Sequence, residues 1–152
     1  MRCNRAVIPG SGDRHITFTH TTDIASFVAA LLDIKGWQKR YFAFSERMTA
    51  KELVHCAEEI KGVKFDIVFD TREQLDQGRC TLLPPPSDAG FNDSRFDQVE
   101  LYTSYIAKLG TLIDDGVADL GIETSLARIC PHIQPLTAHE AISRWVIGNR
   151  NR

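Results

Sequence analysis

The sequence of this 152-residue chain predicts an α/β domain, on three observations. Segments that alternate apolar and polar residues, as strands do, are followed by segments with apolar residues at helical spacing. The stretch His15–Asp33 makes this change in one run, since Ile16 and Phe18 alternate with threonines and helical spacing begins at Ile24. Capping-box signals precede three later helices. Strand and helix alternate to about residue 78, and the remainder is helical, which predicts α/β layering with helices at one end.

The composition is that of an ordinary soluble globular protein, with 43% hydrophobic and 25% charged residues. The net charge is −2 and lysines and arginines form no cluster, so we expect neither nucleic acid nor membrane as partner. The longest apolar run, Phe27–Leu32, is too short for a membrane span or a secretory signal. Widely spaced cysteines predict free thiols and a cytoplasmic location: Cys3, Cys56, Cys80 and Cys130.

Four segments carry strand signals. The turn formers of Pro9–Asp13 lie between Arg5–Ile8 and His15–Phe18, which predicts a β-hairpin. Tyr41–Phe44 is a short apolar run that predicts a further strand. Val63–Asp70 alternates clearly, and the residues predicted for its inner face are Val63, Phe65, Ile67 and Phe69.

Helix boundaries are predicted from caps and stops. A helix over about Thr22–Lys35 is expected to end at Gly36, because glycine readily adopts the left-handed conformation. Hydroxyl residues followed three positions later by Glu or Gln predict three capping boxes: Thr49 with Glu52, Thr71 with Gln74, and Thr137 with Glu140. A long amphipathic helix is predicted over Ser94–Gly116. Residues 79–92 contain three consecutive prolines and predict a surface loop that could act as a lid.

The polar tetrad at residues 20–23 has two interpretations. Thr21 or Thr22 could cap the helix, with Asp23 in its first turn complementing the dipole. Alternatively, His20 and Thr22 could contact a polar ligand beside a helix N-terminus. His20 continues the inward series of the preceding strand, so it is either a hydrogen-bonded core residue or a group facing a pocket. We favour the helix start and keep His20 and Thr22 as candidate substrate contacts.

Aromatic residues that flank the proline-rich loop form a second candidate site. Phe91, Phe96 and Tyr102 could line an apolar small-molecule pocket beneath it, or they could simply pack in the core. The candidate substrate-binding residues are therefore His20, Thr22, Phe91 and Tyr102.

Other familiar chemistries have no matching pattern. The G-x-G of Gly10–Gly12 precedes a strand instead of a helix, so we expect a turn and no phosphate site. Histidines, cysteines and carboxylates lack metal-ligand spacing, and no serine or cysteine lies in a recognisable nucleophile motif. Cys56 falls on the apolar side of its helix, as small core residues do. We assign no catalytic, cofactor-binding or metal-binding residue.

The order of motifs resembles one protein family. The run VIPGSGDRHITFTHTTDIASFVAALLD is followed by RYFAFSERMTAKELVHCAEEIKGVKFDIVFDTREQL, then by LLPPP and PHIQPLTAHEAI. This combination resembles the C-terminal half of fungal NmrA-like proteins, relatives of the isoflavone reductase group of atypical short-chain dehydrogenases. The similarity covers about Arg5 to Trp145, and Pro9–Leu75 is its most specific portion.

The resemblance implies an architecture. Residues 1–152 would form a single domain, the C-terminal part of a Rossmann-like NAD(P)-binding fold with a mainly helical substrate lobe. They would lack the N-terminal dinucleotide-binding half, with its glycine fingerprint and catalytic Lys or Tyr region. NAD(P) is implied for an intact family member, and we expect no cofactor to be bound by this chain alone. Exposed apolar faces would then favour a homodimer or a protein partner.

The resemblance leaves three functions open. The chain could be the substrate-binding half of an NmrA-like NAD(P)-dependent oxidoreductase, inactive alone, whose substrate is a small aromatic or carbonyl-bearing metabolite. It could instead be a non-enzymatic, dinucleotide-sensing regulator that binds a protein partner, as in the NmrA branch itself. A third alternative is a free-standing ligand-binding or interaction module.

Overall fold

The computed structural model describes residues 4–83, 99–121 and 125–150 and confirms the mixed α/β class. None of the helices in these ranges is both long and apolar enough to cross a membrane. The elements are β1 (Arg5–Pro9), β2 (His15–Phe18), α1 (Thr21–Leu31), β3 (Glu46–Thr49), α2 (Ala50–Lys61), β4 (Asp66–Asp70), α3 (Arg72–Asp76), α4 (Val99–Asp114), α5 (Leu126–Ile129) and α6 (Ala138–Arg150).

The described strands form two small sheets of two strands each. β1 pairs with β4 in parallel, with Arg5 opposite Asp66, and β2 pairs with β3 antiparallel. The predicted hairpin is therefore wrong, because β1 and β2 belong to different sheets. The Gly10 amide donates to the carbonyl of Asp70 at 2.9 Å, so the chain stays with β4 beyond the end of β1. Gly10 and Gly12 then take φ angles of 61° and 74°, which redirect the chain toward the second sheet.

The strand predicted at Tyr41–Phe44 is also wrong. The described strand of this region is β3, and Phe42 contributes only an isolated bridge with Ser125. The amide of Leu126 donates to the carbonyl of Phe42 at 2.7 Å, and the Ser125 hydroxyl donates to the carbonyl of Phe44 at 2.9 Å. The carbonyls of this segment thus accept hydrogen bonds from residues at the start of α5.

The strand predicted over Val63–Asp70 is observed as β4, but its inner face was predicted wrongly. Ile67 and Phe69 remain 37% and 44% exposed, whereas Val68 is half-buried and Asp70 is buried. The physical reason is that, of the two strands of this sheet, β1 is the one that α2 and α4 mainly contact, so β4 is less covered. Alternation defines which residues share a face, but it does not determine which face another element covers.

The helix ends show which boundaries short sequence patterns predict correctly. All three capping boxes are confirmed; at Thr49 the hydroxyl accepts from the Glu52 amide at 3.1 Å and the Glu52 carboxylate accepts from the Thr49 amide at 2.7 Å. α1 ends at Leu31, before the predicted stop at Gly36. α4 begins at Val99 in the described range; the predicted start at residues 94–98 lies outside it, as do residues 84–92 of the predicted loop.

A compact core joins α1 to α5. Phe27, Leu126 and Cys130 are buried against one another. The half-buried apolar residues packed around them are Ala30, Leu31, Ile34, Tyr41, Ala43, Ala127 and Ile133. This core is built by α1, α5 and the irregular segments beside them, whereas α4 packs against α3 and β1. The start of α1 and the face of α4 therefore belong to different packing units.

Polar contacts attach the β2–β3 ribbon to the segment after α4. The Arg47 guanidinium donates to both carboxylate oxygens of Asp119, at 2.5 and 2.7 Å. The amide and hydroxyl of Thr17 both donate to the carbonyl of Ala118 at 3.0 Å. Hydrogen bonding from Arg47 lowers the pKa of Asp119 below its ordinary value.

We predict opposite effects of one substitution in two helices. A Cβ at Gly110 of α4 would lie 2.9 Å from Leu75 Cδ2 and 3.1 Å from Pro9 Cβ, whereas a Cβ at Gly148 of α6 would meet no atom of the described residues within 4 Å. Gly110→Ala should lower the free energy of unfolding by about 1–2 kcal/mol through overpacking. Gly148→Ala should raise it by up to about 1 kcal/mol through helix propensity. Urea denaturation measures both, and equal stabilisation by the two substitutions would contradict the close approach of α4 to β1.

We also predict a pH-dependent contribution from the Arg47–Asp119 pair. A carboxyl whose pKa is depressed on folding stabilises the fold above its unfolded pKa, near 3.8 here, and loses that contribution as the pH falls through the folded value. Asp119→Asn should therefore destabilise the chain at pH 7, by a difference that shrinks below about pH 3.8. Urea midpoints across this pH range test it, with Asp33→Asn as the exposed control. A difference independent of pH would contradict the ion pair.

Candidate functional site

The start of α1 is capped by His20, not by the predicted Thr21 or Thr22. The His20 Nδ1 accepts from the Thr22 amide at 3.3 Å and lies 2.7 Å from the Thr22 hydroxyl. His20 is exposed, so the prediction that it points inward is wrong. The chain turns out of β2 before His20, and this turn ends the alternation that would have carried its side chain inside. The expectation that this segment begins a helix is confirmed.

Asp23 is the polar tetrad's structural anchor. It is buried, and its Oδ2 accepts hydrogen bonds from the Ser45 hydroxyl at 3.2 Å and from the Leu136 amide at 2.9 Å. One carboxylate therefore connects the start of α1 to two segments that are distant in the chain. Asp23 therefore connects distant segments, in addition to the predicted interaction with the helix dipole.

A second buried carboxylate lies at the carboxyl end of β4. Both oxygens of Asp70 accept from the Thr81 amide, at 3.1 and 2.9 Å, and its Oδ1 also accepts from the Thr81 hydroxyl at 2.7 Å. These bonds hold residues 79–83 over the end of the parallel sheet. Burial raises the pKa of the neighbouring Cys80 thiol, and the Asp70 charge adds to that increase.

The end of α4 closes the same edge of the sheet. A Cβ at Gly10 would overlap the Asp114 carboxylate, so glycine permits this contact. Arg72, at the start of α3, donates to Asp115 at 2.5 Å and to Asp76 at 2.9 Å, and it lies 3.5 Å from Asp114. Hydrogen bonds to Asp115 and Asp76 raise the pKa of Arg72 above its already high ordinary value. Charged, hydrogen-bonded side chains thus surround the carboxyl ends of β1 and β4.

The structure brings together only two of the predicted substrate contacts. His20 and Thr22 contact each other at the start of α1. Tyr102 is half-buried on α4, in the packing unit of α3 and β1. Phe91 lies outside the described residues. Whether any of the four contacts a substrate stays a prediction.

The glycine turn at residues 10–12 is engaged by protein groups in the structure. The Gly10 amide is bonded to β4, and Gly10 lies against an aspartate, which would repel a pyrophosphate. The Gly12 carbonyl accepts from the Lys51 amide at 3.5 Å, so this turn packs against the start of α2. Within the described ranges, no group of three or more His, Cys, Asp or Glu side chains could hold a metal ion.

Apolar side chains remain exposed along one stripe of α1. Ile24, Val28 and Leu32, spaced four residues apart, are 44%, 54% and 70% exposed. This spacing places them on the same side of the helix, beside the face that buries Phe27. α4 carries a second exposed apolar set, comprising Leu101, Tyr105, Leu109 and Leu112. Contiguous apolar stripes of this kind commonly mark surfaces that another element covers.

Comparison with known proteins relates the chain to fungal oxidoreductases. No protein-family profile matches it. It is 28% identical to Oxidoreductase swnN of Metarhizium robertsii over 82 residues, which are 53% of this chain and 24% of the relative. It is 34% identical to Oxidoreductase BOA1 of Botryotinia fuckeliana over 56 residues, or 37% of this chain and 19% of the relative. The matched segments thus span about a quarter and a fifth of these curated relatives.

Among solved structures, the chain is similar to a nucleoside-diphosphate-sugar epimerase from Staphylococcus aureus, with a TM-score of 0.64 at 19% identity. The match covers 92% of this chain but 43% of the epimerase. At this identity the likeness shows the fold alone. Together with the parallel β1–β4 pair and its surrounding helices, it is consistent with part of a Rossmann-like α/β fold.

We predict that Asp23 is a structural residue. Asp23→Ala would leave the Leu136 amide and the Ser45 hydroxyl without their acceptor, which should lower the free energy of unfolding by about 1–3 kcal/mol. Asp33→Ala, at an exposed position just beyond α1, should change it by less than about 0.5 kcal/mol. Urea denaturation monitored by circular dichroism compares the two. Equal stabilities of the two variants would contradict the anchoring role.

Proposed function

We propose that this chain is the substrate-binding half of an NmrA-like, NAD(P)-dependent oxidoreductase and does not turn over substrate alone. Two curated relatives bear the name oxidoreductase, which supports the class of reaction. The fold likeness to part of a larger epimerase supports the role of one lobe. The proposed substrate is a small aromatic or carbonyl-bearing metabolite.

The exposed stripe on α1 is the observation that carries this proposal. Three large aliphatic side chains on one side of a helix would be stabilised by transfer out of water. The adjacent face of α1 is already covered by the core around Phe27. In the proposal, a cofactor-binding half covers the stripe.

The proposal divides the chemistry between two halves. NAD(P) would be held by the cofactor-binding half and would supply or accept the hydride. This chain would contribute substrate contacts, for which His20 and Thr22 offer exposed polar groups beside α1 and Tyr102 offers a half-buried phenol on α4. Its unpaired cysteines Cys56, Cys80 and Cys130 suit the reducing cytoplasm in which we place the protein.

We predict that the chain gains cofactor binding only on assembly. Titration calorimetry of the purified chain with NADPH should show no saturable binding, because its glycine turn is occupied by protein contacts. The chain should then be co-expressed with the portion of Oxidoreductase swnN outside the matched segment. The assembled pair should bind NADPH and oxidise it when aromatic aldehydes or ketones are supplied, which absorbance at 340 nm would measure.

A matched pair of variants on α1 tests the surface. Val28→Glu should prevent assembly, because it places a charge in the stripe, while Ser26→Glu, away from the stripe on the same helix, should not. Micromolar NADPH binding by the chain alone, or assembly unaffected by Val28→Glu, would contradict the proposal. An assembly that binds NADPH but reduces no carbonyl substrate would favour the non-enzymatic regulator instead.

A further inference from the structure

A polar groove lies between α3 and α4, away from the stripe on α1. Its volume is about 360 Å³, in the size range of small-molecule sites. Its lining residues are Leu75, Asp76, Gln77, Gly78, Ser104, Lys108 and Thr111. The buried side chain of Leu75 forms an apolar floor, and the remaining lining is mostly polar.

The groove follows directly from the parallel sheet. α3 begins two residues after β4 ends, so the groove lies on the side of the molecule toward which the carboxyl ends of β1 and β4 point. In open α/β sheets this is the side on which ligands bind. Gly110 lets α4 approach Leu75 of α3 closely, because a Cβ at this position would lie 2.9 Å from Leu75 Cδ2.

Two donors in the groove have no protein partner among the described residues. The Lys108 ammonium forms no ion pair or hydrogen bond there, and the Ser104 hydroxyl forms no hydrogen bond. Both residues are on α4, four positions apart, and therefore lie on the same side of that helix. The Gln77 side-chain carbonyl accepts from Arg79, which leaves its amide hydrogens to donate elsewhere.

The two charged residues of the groove lining differ in whether they are already paired. Asp76 is the acidic lining residue, and its carboxylate accepts from Arg72 at 2.9 Å. Lys108 has no such counter-charge within the part of the chain that the structure describes, and Arg79 adds a second cation near Gln77. The buried Thr111 hydroxyl already donates to the Ala107 carbonyl, so its proton is not available to a ligand.

We propose that this groove binds the oxyanion of a small metabolite, a carboxylate or a phosphate, through Lys108, Ser104 and Gln77. The apolar part of the ligand packs on Leu75. This site is independent of the proposed reductase function, because it requires neither NADPH nor a second half. The two arms of the test below distinguish a phosphate ligand from a carboxylate ligand.

The experiment is an NMR titration of the full chain with inorganic phosphate and, separately, with malonate, at constant ionic strength set by sodium chloride. Saturable amide shifts at Gln77, Gly78, Ser104 and Lys108 are expected with at least one of the two anions. A response to phosphate alone identifies a phosphate ligand, and a response to malonate alone identifies a carboxylate ligand. Both results support the site.

Charge-matched variants separate this site from general surface attraction. Lys108→Gln should weaken binding by about tenfold, because a charge-assisted hydrogen bond is lost. Lys35→Gln, at an exposed position beyond α1, should leave the dissociation constant unchanged within about twofold. Equal weakening by the two variants, shifts that map elsewhere, or no saturable shift at millimolar anion would overturn the proposal. The NADPH experiments do not bear on this outcome.

Discussion

The parallel pairing of β1 with β4 is the constraint on which the rest of the structure depends. Parallel neighbours cannot be joined by a short turn, so the chain must cross over between them. This crossover contains the β2–β3 ribbon, α1 and α2. The pairing also brings the carboxyl ends of both strands to one edge, where Gly10 meets Asp114 and where Asp70 holds Thr81. The groove between α3 and α4 follows from the same edge.

Two buried carboxylates hold this arrangement together in similar ways. Asp23 lies in the first turn of α1 and Asp70 is the last residue of β4, and each accepts from a backbone amide and from a hydroxyl. A buried carboxylate is tolerated when such donors satisfy it. Both carboxylates therefore stabilise contacts between separate segments of the chain. Asp23, one of the polar residues that the sequence suggested as a site, thus has a structural role.

The exposed surfaces divide into two kinds with different implications. The stripe of α1 is apolar and continuous with a well-packed core, so covering it would bury hydrocarbon surface. The groove beside α4 is polar and contains the Lys108 ammonium, which has no ion-pair partner among the described residues, so it is suited to a charged small molecule and not to a protein surface. The first supports the proposed assembly, and the second supports an anion site that functions without it.

The sequence by itself determined the features that depend on a few neighbouring residues. The capping boxes at Thr49, Thr71 and Thr137 were predictable because the donors and acceptors are three residues apart. Tertiary structure decided strand pairing, the covered face of β4 and the role of Asp23, whose carboxylate bonds an amide 113 residues away. Tertiary structure also decided that His20, instead of the predicted Thr21 or Thr22, caps α1, because the turn after β2 places the His20 imidazole beside the Thr22 amide. Such choices depend on packing energies between distant segments, which local periodicity does not contain.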